Sequence, residues 1–73
     1  MPQPVLSKGD GYLTGKGLTD AVKQAQQALV TAGYIIDVDG RFGARTQKAV
    51  IEFQIKNRLP ADGIIGPRTW AVS

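Results

Sequence analysis

Residues 38 to 50 read VDGRFGARTQKAV, and residues 61 to 73 read ADGIIGPRTWAVS. The two stretches share the pattern D-G-x-x-G-x-R-T, and each position of the second copy lies 23 residues after its counterpart in the first. Aspartate followed by glycine is typical of a tight turn, because glycine adopts positive φ cheaply and aspartate accepts hydrogen bonds from turn N–H groups. The pattern therefore predicts two turns of one design, each leading into a helix: Asp39, Gly40, Gly43 and Thr46, then Asp62, Gly63, Gly66 and Thr69.

Each residue type in the repeated pattern has an expected structural role. In the first copy, the Asp39 carboxylate is expected to accept hydrogen bonds from the backbone of the turn and the helix start. Gly43 is expected to bring the chain close at the N-cap, and the Thr46 hydroxyl to bond back into the turn. Phe42 is expected to point into the core. The same roles are expected of the second-copy residues Asp62, Gly66, Thr69 and Ile65.

Apolar periodicity and helix stop signals predict three helices. The first runs from about 19 to 32, with Thr19 or Asp20 as its N-cap and Gly33 as its stop. The second runs from about 44 to 57, and the third begins at Pro67. The fold class predicted is all-α: a compact three-helix bundle over 18–73 with two aspartate–glycine turns, preceded by an irregular glycine- and proline-rich arm over 1–17.

Composition excludes several kinds of chemistry. The chain has 73 residues, a formal charge of +3, no histidine and no cysteine, so a histidine-dependent triad or a thiolate zinc site cannot form. The stretch DVDG at 37–40 starts like a calcium loop, but its twelfth position is Lys48 rather than glutamate. We therefore predict no catalytic residue, no metal and no cofactor. No segment is long and apolar enough to cross a membrane, and the first residues do not have the pattern of a Sec signal peptide.

Several motifs together resemble a known family. They are V-K-x-x-Q from Val22, D-G-x-F-G-x-x-T from Asp39, A-V-x-x-F-Q from Ala49, and D-G-I-x-G-x-x-T-W from Asp62. Residues 22 to 72 are similar to the peptidoglycan-binding domain that accompanies the catalytic domains of cell-wall hydrolases and phage endolysins. Arg58 stands where that family commonly has glycine, which predicts a strained or differently capped end of the second helix. The family's entrance leucine is matched by Leu6 or Leu13.

The resemblance implies a bundle without catalytic activity that binds the glycan strand or the stem peptide of peptidoglycan. It also implies an attached hydrolase domain, synthesis in the cytoplasm and action at the bacterial cell wall or periplasm. The chain is expected to be a monomer that binds neither nucleic acid nor membrane. The candidate carbohydrate- or peptide-binding residues are aromatic, amide and cationic side chains: Tyr34, Arg41, Arg45, Gln47, Arg68 and Trp70.

Two other functions are compatible with a small basic bundle. A DNA-binding domain could present Arg45, Gln47, Lys48 and Lys56 on the second helix, although Glu52 lies on the same exposed face. A spacer that positions a catalytic domain would need no ligand at all. The candidate binding residues also have structural alternatives, with Tyr34 closing a helix end and Trp70 belonging to the core.

Overall fold

Three helices make up the regular secondary structure of the residues that are described. The structure is a computed structural model that describes residues 4–11 and 18–72 of the chain. The helices are α1 (Thr19–Thr31), α2 (Ala44–Lys56) and α3 (Pro67–Val72). Over those described ranges there is no β-strand, only an isolated antiparallel bridge. The predicted all-α fold is confirmed, and both long helices end within one residue of the prediction.

The core lies between α1 and α2 and is closed by the two repeated turns. Each long helix buries the apolar stripe that its periodicity predicts. Phe42 and Ile65, the equivalent residues of the two turns, are 0% and 2% exposed, so both point inward as expected. Burial of each such side chain is worth about 1.5–3 kcal/mol. The buried core residues are Leu6, Val22, Ala25, Leu29, Phe42, Ala49, Val50, Phe53 and Ile65.

The start of α1 differs from the prediction. Leu18 is the N-cap residue, its backbone is helical, and no side chain caps the first turn. Thr19 is already the first helical residue, and its hydroxyl makes only a long contact of 3.5 Å with the carbonyl oxygen of Gly11. The expected cap by Thr19 or Asp20 is therefore wrong. The partly buried Leu18 packs against the core, which explains why an apolar residue occupies the cap position.

Residues 4–11 form a segment, here called the N-terminal strap, that is tied to both turns. The N–H and carbonyl groups of Leu6 pair with those of Ile65 at 2.9 and 2.7 Å. Farther along, the Gly9 N–H donates to the Phe42 carbonyl, and the Phe42 N–H donates to the Asp10 carbonyl, both at 2.8 Å. Leu6 itself is fully buried. The strap is thus packed structure, where the sequence predicted an irregular arm; Leu13, the other candidate entrance residue, lies outside the described residues.

The two long helices end in the same way on different residues. After α1, the N–H groups of Gly33 and Tyr34 donate to the carbonyls of Val30 and Leu29. This is the Schellman arrangement, which requires a left-handed residue after the C-cap. The end of α2 repeats it, with the N–H of Leu59 donating to the carbonyl of Gln54, but Arg58 takes the left-handed position at φ 59°. The helix end at Arg58 is therefore strained rather than differently capped.

This strain gives a matched pair of expected stability changes. Arg58→Gly should raise the free energy of unfolding by about 0.5–1 kcal/mol, because a side chain at positive φ costs about that much. Gly33→Ala should lower it by a similar amount, since a Cβ there meets no atom within 4 Å and only the backbone strain is added. Thermal melting should show shifts of a few degrees in opposite directions. If both variants shifted the melting temperature in the same direction, the backbone at Arg58 would not be strained.

Candidate functional site

Each repeated turn is organised around one buried glutamine. In the first turn the Gln26 amide nitrogen lies 3.1 Å from Asp39 Oδ1, 2.9 Å from the Arg41 carbonyl and 3.1 Å from Thr46 Oγ1. Its oxygen accepts a hydrogen bond from the Gly40 N–H at 2.9 Å. Since an amide nitrogen carries two hydrogens, one of the three donor contacts is shared. The side chain is completely buried and fully bonded.

Gln54 repeats this arrangement in the second turn. Its nitrogen lies 3.0 Å from Asp62 Oδ1, 2.9 Å from the Ile64 carbonyl and 3.2 Å from Thr69 Oγ1. Its oxygen accepts from the Gly63 N–H at 3.0 Å. Corresponding distances in the two copies agree within 0.1 Å. We call each set a glutamine clamp: Gln26 with Asp39, Gly40, Arg41 and Thr46, and Gln54 with Asp62, Gly63, Ile64 and Thr69.

The clamps assign structural roles to the repeated pattern. Gly40 and Gly63 have φ of 79° and 73°, as predicted for the turn. The Asp39 and Asp62 carboxylates accept from the N–H groups of Arg41 and Ile64, both at 2.9 Å, which confirms their bonding to the turn backbone. Each threonine hydroxyl, of Thr46 or Thr69, accepts a hydrogen bond from the glutamine amide of its own clamp.

The second glycine of the second copy differs from its expected role. A Cβ on Gly66 would meet no atom within 4 Å, so no close approach requires glycine there. Gly43 is the N-cap of α2 in an extended conformation that other residues can adopt. Neither position needs glycine for its backbone angles.

The clamp bonds lower the pKa of both turn carboxylates below the ordinary value of 3.8. For Asp39 the largest cause is the Arg41 N–H, followed by the Gln26 amide. For Asp62 it is the Ile64 N–H, followed by the Gln54 amide. Both carboxylates are therefore ionised and held as turn acceptors near neutral pH. Proton transfer by these carboxylates would cost the turns their hydrogen bonds.

The lowered pKa values predict acid sensitivity. Because each folded-state pKa is below its unfolded value, the ionised carboxylates stabilise the fold fully above about pH 4. That stabilisation is lost as the pH falls through the folded-state pKa values. The melting temperature should decline in this range, and the decline should be shallower in the double variant Asp39→Asn, Asp62→Asn. Parallel decline in both proteins would assign the acid sensitivity to other groups.

Three shallow grooves lie beside the turns. The first-turn groove is polar and carries charges of both signs, with Arg41 and Arg45 lining it together with Asp37 and Asp39. The link groove adjoins it, since Arg45 lines both, and it combines Lys48 with the apolar residues that follow α1. The full linings are Asp37, Asp39, Arg41, Gly43, Ala44, Arg45 and Thr46 for the first-turn groove, and Tyr34, Ile35, Ile36, Arg45, Lys48, Ala49 and Glu52 for the link groove.

The third groove is the counterpart of the first at the second repeat. This second-turn groove has a volume of about 330 Å³ and a mostly apolar lining. Asp62, Gly66, Arg68 and Thr69 occupy the places that Asp39, Gly43, Arg45 and Thr46 hold in the first-turn groove. Ile64 replaces Arg41, and Pro67 replaces Ala44. Its full lining is Gln54, Leu59, Pro60, Asp62, Ile64, Gly66, Pro67, Arg68 and Thr69.

The candidate binding residues are not brought into one cluster. Tyr34 and Arg45 share the link groove, and Arg41 joins Arg45 in the first-turn groove, while Arg68 lines the second-turn groove. Tyr34 also has a structural role, because its ring packs edge-on against Phe53 with centroids 6.4 Å apart.

Two further candidate residues take structural positions. The half-buried Trp70 packs against the core, and its indole N–H donates to the Pro4 carbonyl at 2.8 Å. Gln47 lies beside the second turn, where its Cγ would be 3.1 Å from a Cβ on Gly63. Neither residue lines any of the three grooves.

The motifs V-K-x-x-Q and A-V-x-x-F-Q contain Gln26 and Gln54, each four residues after a fully buried valine, Val22 or Val50. From sequence Gln54 could be interpreted as a buried residue that bonds backbone, and its bonds to Ile64 and Gly63 agree with that. Sequence reasoning did not predict that both glutamines organise the turns, nor the exposure of Ile35. Ile35 is 98% exposed beside Tyr34, and nothing in its local pattern distinguishes it from the half-buried Ile36. Among residues 4–11 and 18–72 no group of histidine, cysteine or carboxylate side chains could hold a metal ion.

Comparisons of the sequence and of the fold with known proteins agree on one family. Residues 19–72 match the family described as "Putative peptidoglycan binding domain". A peptidoglycan-binding protein of Clostridioides difficile, solved in complex with glutamine hydroxamate, is 41% identical, has a TM-score of 0.83, and is matched over 96% of this chain and 40% of its own. A Burkholderia AP3 phage endolysin is 36% identical with a TM-score of 0.81, over 94% of this chain and 24% of its own.

A curated relative extends the comparison to hydrolases. A probable N-acetylmuramoyl-L-alanine amidase of Bacillus licheniformis is 39% identical over 67 residues, which are 86% of this chain and 19% of the amidase. The chain thus spans less than half the length of each of these three relatives. Within the described ranges, no helix combines the length and hydropathy needed to cross a bilayer. The family match and the shared three-helix fold establish that the chain belongs to the peptidoglycan-binding domain family.

Proposed function

We propose that this chain is the non-catalytic module that brings an attached cell-wall hydrolase, such as an endolysin, to peptidoglycan. The observation that carries the proposal is that some side chains of the repeat are bonded within the fold and others are exposed on the grooves. The clamps commit the glutamine, aspartate and threonine side chains to the fold, while the guanidinium groups of the groove arginines make none of the clamp bonds. Such a surface can bind a ligand and offers no acid–base pair for hydrolysis.

The first-turn and link grooves supply the cationic part of the proposed binding surface. Arg45 lies on the ridge between them, with Arg41 on one side and Lys48 on the other. Guanidinium groups bind carboxylates and amide oxygens with paired hydrogen bonds. Both kinds of acceptor occur in the stem peptide and in the N-acetyl and lactyl groups of the glycan.

The link groove adds an apolar floor to this surface. Tyr34, Ile35 and Ile36 line its apolar side, and a fully exposed isoleucine such as Ile35 loses water contact favourably when a ligand methyl group covers it. The combination of apolar floor and cationic rim suits acetamido and alanine methyl groups beside carboxylates. Action at the bacterial cell wall follows from this ligand.

The arginines of the two repeats are expected to contribute independently. Arg45→Ala and Arg68→Ala should each weaken binding to purified sacculi about threefold or more, because each removes a charged donor. No groove contains both residues, so their free-energy losses should add within about 0.5 kcal/mol, giving about a tenfold loss in the double variant. Sedimentation with sacculi measures the binding, and circular dichroism melts check the fold. Removal of cations from helix first turns should not lower stability.

Exposed Lys56 provides the matched control, because Lys56→Ala removes the same charge from a position that lines no groove. If the double variant melts normally and binds sacculi as the parent does, the arginines are ordinary surface charges.

Salt dependence distinguishes peptidoglycan binding from the alternative of nucleic-acid binding. DNA affinity should fall steeply as the salt concentration rises, because the counterions that binding releases gain less entropy in concentrated salt. Sacculus binding through apolar and hydrogen-bonded contacts should persist at moderate salt.

A further inference from the structure

We propose that the second-turn groove binds the carboxyl-terminal end of a short peptide with small apolar side chains. Within peptidoglycan this ligand is the stem peptide rather than the glycan strand. The inference rests on the proposed function and specifies which part of the polymer this groove recognises. It concerns one groove only and assigns the other two grooves no ligand.

The walls of the second-turn groove favour methyl groups over sugar rings. Leu59, Pro60, Ile64 and Pro67 are four of its nine lining residues, and none of the lining residues in the described part of the chain is aromatic. Sugar-binding sites commonly present an aromatic face to the apolar side of a pyranose, whereas aliphatic walls contact methyl groups equally well from several directions. Two of the four walls are prolines, whose rings lose little side-chain entropy when a ligand covers them. These walls suit alanine side chains.

The charges of the groove orient such a peptide. The Arg68 guanidinium makes no hydrogen bond or ion pair with any residue in 4–11 or 18–72, so it is available to a carboxylate. Asp62 also lines the groove and is ionised near neutral pH, and the Ile64 N–H and the Gln54 amide lower its pKa further below the ordinary 3.8. It disfavours a second anion and favours a nearby N–H donor. A bound peptide satisfies both groups when its terminal carboxylate binds Arg68 and one of its N–H groups faces Asp62.

Comparison of the two repeats supports specialisation of this groove. Both grooves are built on the same glutamine clamp and carry an arginine at the same position, Arg45 or Arg68. The second copy has Ile64 where the first has Arg41, and Pro67 where the first has Ala44. The first-turn groove therefore presents two arginines and two aspartates among polar groups, and the second-turn groove presents one arginine and one aspartate among largely apolar walls. One anionic end group attached to an apolar body matches the second pattern.

Nuclear magnetic resonance titration of the ¹⁵N-labelled chain with acetyl-D-alanyl-D-alanine tests this inference. We expect the largest amide shifts at Leu59, Ile64, Gly66 and Thr69, with a dissociation constant on the order of 1 mM, as is usual for a ligand of that size. The carboxamide of the same dipeptide should bind at least about fivefold more weakly, because it offers Arg68 no charge. Chitotetraose, a glycan probe, should not shift these amides.

A variant of Arg68 tests the contribution of its charge. Arg68→Ala should weaken dipeptide binding at least about fivefold, with Lys56→Ala as the charge control that leaves it unchanged. Sedimentation with sacculi is run on the same protein. If sacculi are bound but the dipeptide shifts no second-turn amide, or chitotetraose shifts them instead, this inference is wrong and the proposed function stands. If the folded chain binds no sacculi, the proposed function fails irrespective of the dipeptide result.

Discussion

Gln26→Ala is expected to leave most of the chain unfolded at room temperature. The change removes the acceptor of the buried Gly40 N–H and the donors to Asp39, Arg41 and Thr46, and it opens a cavity where a large side chain was fully buried. Two buried groups left unsatisfied cost about 1–3 kcal/mol each, and the cavity adds a comparable cost, so the loss should exceed about 5 kcal/mol. A domain of this size has a stability of about 5 kcal/mol. Urea denaturation followed by circular dichroism measures the loss, and Gln54→Ala should behave alike.

Two controls separate the clamp from general effects of mutation. Gln27→Ala changes the exposed neighbour on α1 and should leave stability unchanged or slightly higher, because alanine favours helix. Gln26→Glu keeps the volume but replaces the donating amide with a carboxylate that faces Asp39 Oδ1 and the Arg41 carbonyl. It should be strongly destabilising at neutral pH. If Gln26→Glu were as stable as the parent, the hydrogen bonds of the clamp would not be what holds the turn.

Removal of residues 1–11 is also expected to prevent folding. The deletion takes away Leu6, whose side chain is completely buried, and the backbone bonds that join the strap to Ile65 and Phe42. Loss of a buried leucine alone costs about 2–5 kcal/mol, so Leu6→Ala by itself should bring the domain close to its unfolding threshold. The family match begins at residue 19, yet a chain starting there should show no cooperative melting transition.

Val5→Ala is the matched control for the strap. Val5 neighbours Leu6 but is 58% exposed, so its change should alter stability by no more than about 0.5 kcal/mol. If a chain beginning at residue 18 melts cooperatively at the temperature of the full chain, the strap contributes nothing to the fold. That result would support the division predicted from sequence, with an arm over 1–17 and the domain over 18–73.

The helices and the turns could be predicted from the sequence because their signals are local. Gly33 ends α1, Pro67 begins α3, and the aspartate–glycine pairs mark the turns, each within a few residues of the feature it determines. The inward orientation of Phe42 and Ile65 followed from their equivalent places in the repeat. Arg58 could be recognised as a strained position only through the family resemblance, since its own sequence context does not require positive φ.

The clamps and the strap were missed because they depend on distant residues. Gln26 precedes Asp39 by 13 residues, while Gln54 precedes Asp62 by only 8. An alignment of the turns at a shift of 23 therefore does not place the two glutamines opposite each other. The strap was missed because glycine and proline near a terminus usually indicate a loose segment. Its burial depends on pairing with residues more than 30 positions away, which no local pattern encodes.

The central claim is that this chain by itself binds peptidoglycan. Co-sedimentation of the purified, folded 73-residue chain with increasing amounts of purified sacculi, at about 150 mM salt, tests it most directly. The account predicts saturable transfer of the protein from the supernatant to the pellet, with a smaller transfer for the Arg45→Ala, Arg68→Ala variant at each sacculus concentration. A chain that melts cooperatively but remains in the supernatant at every concentration would contradict the claim.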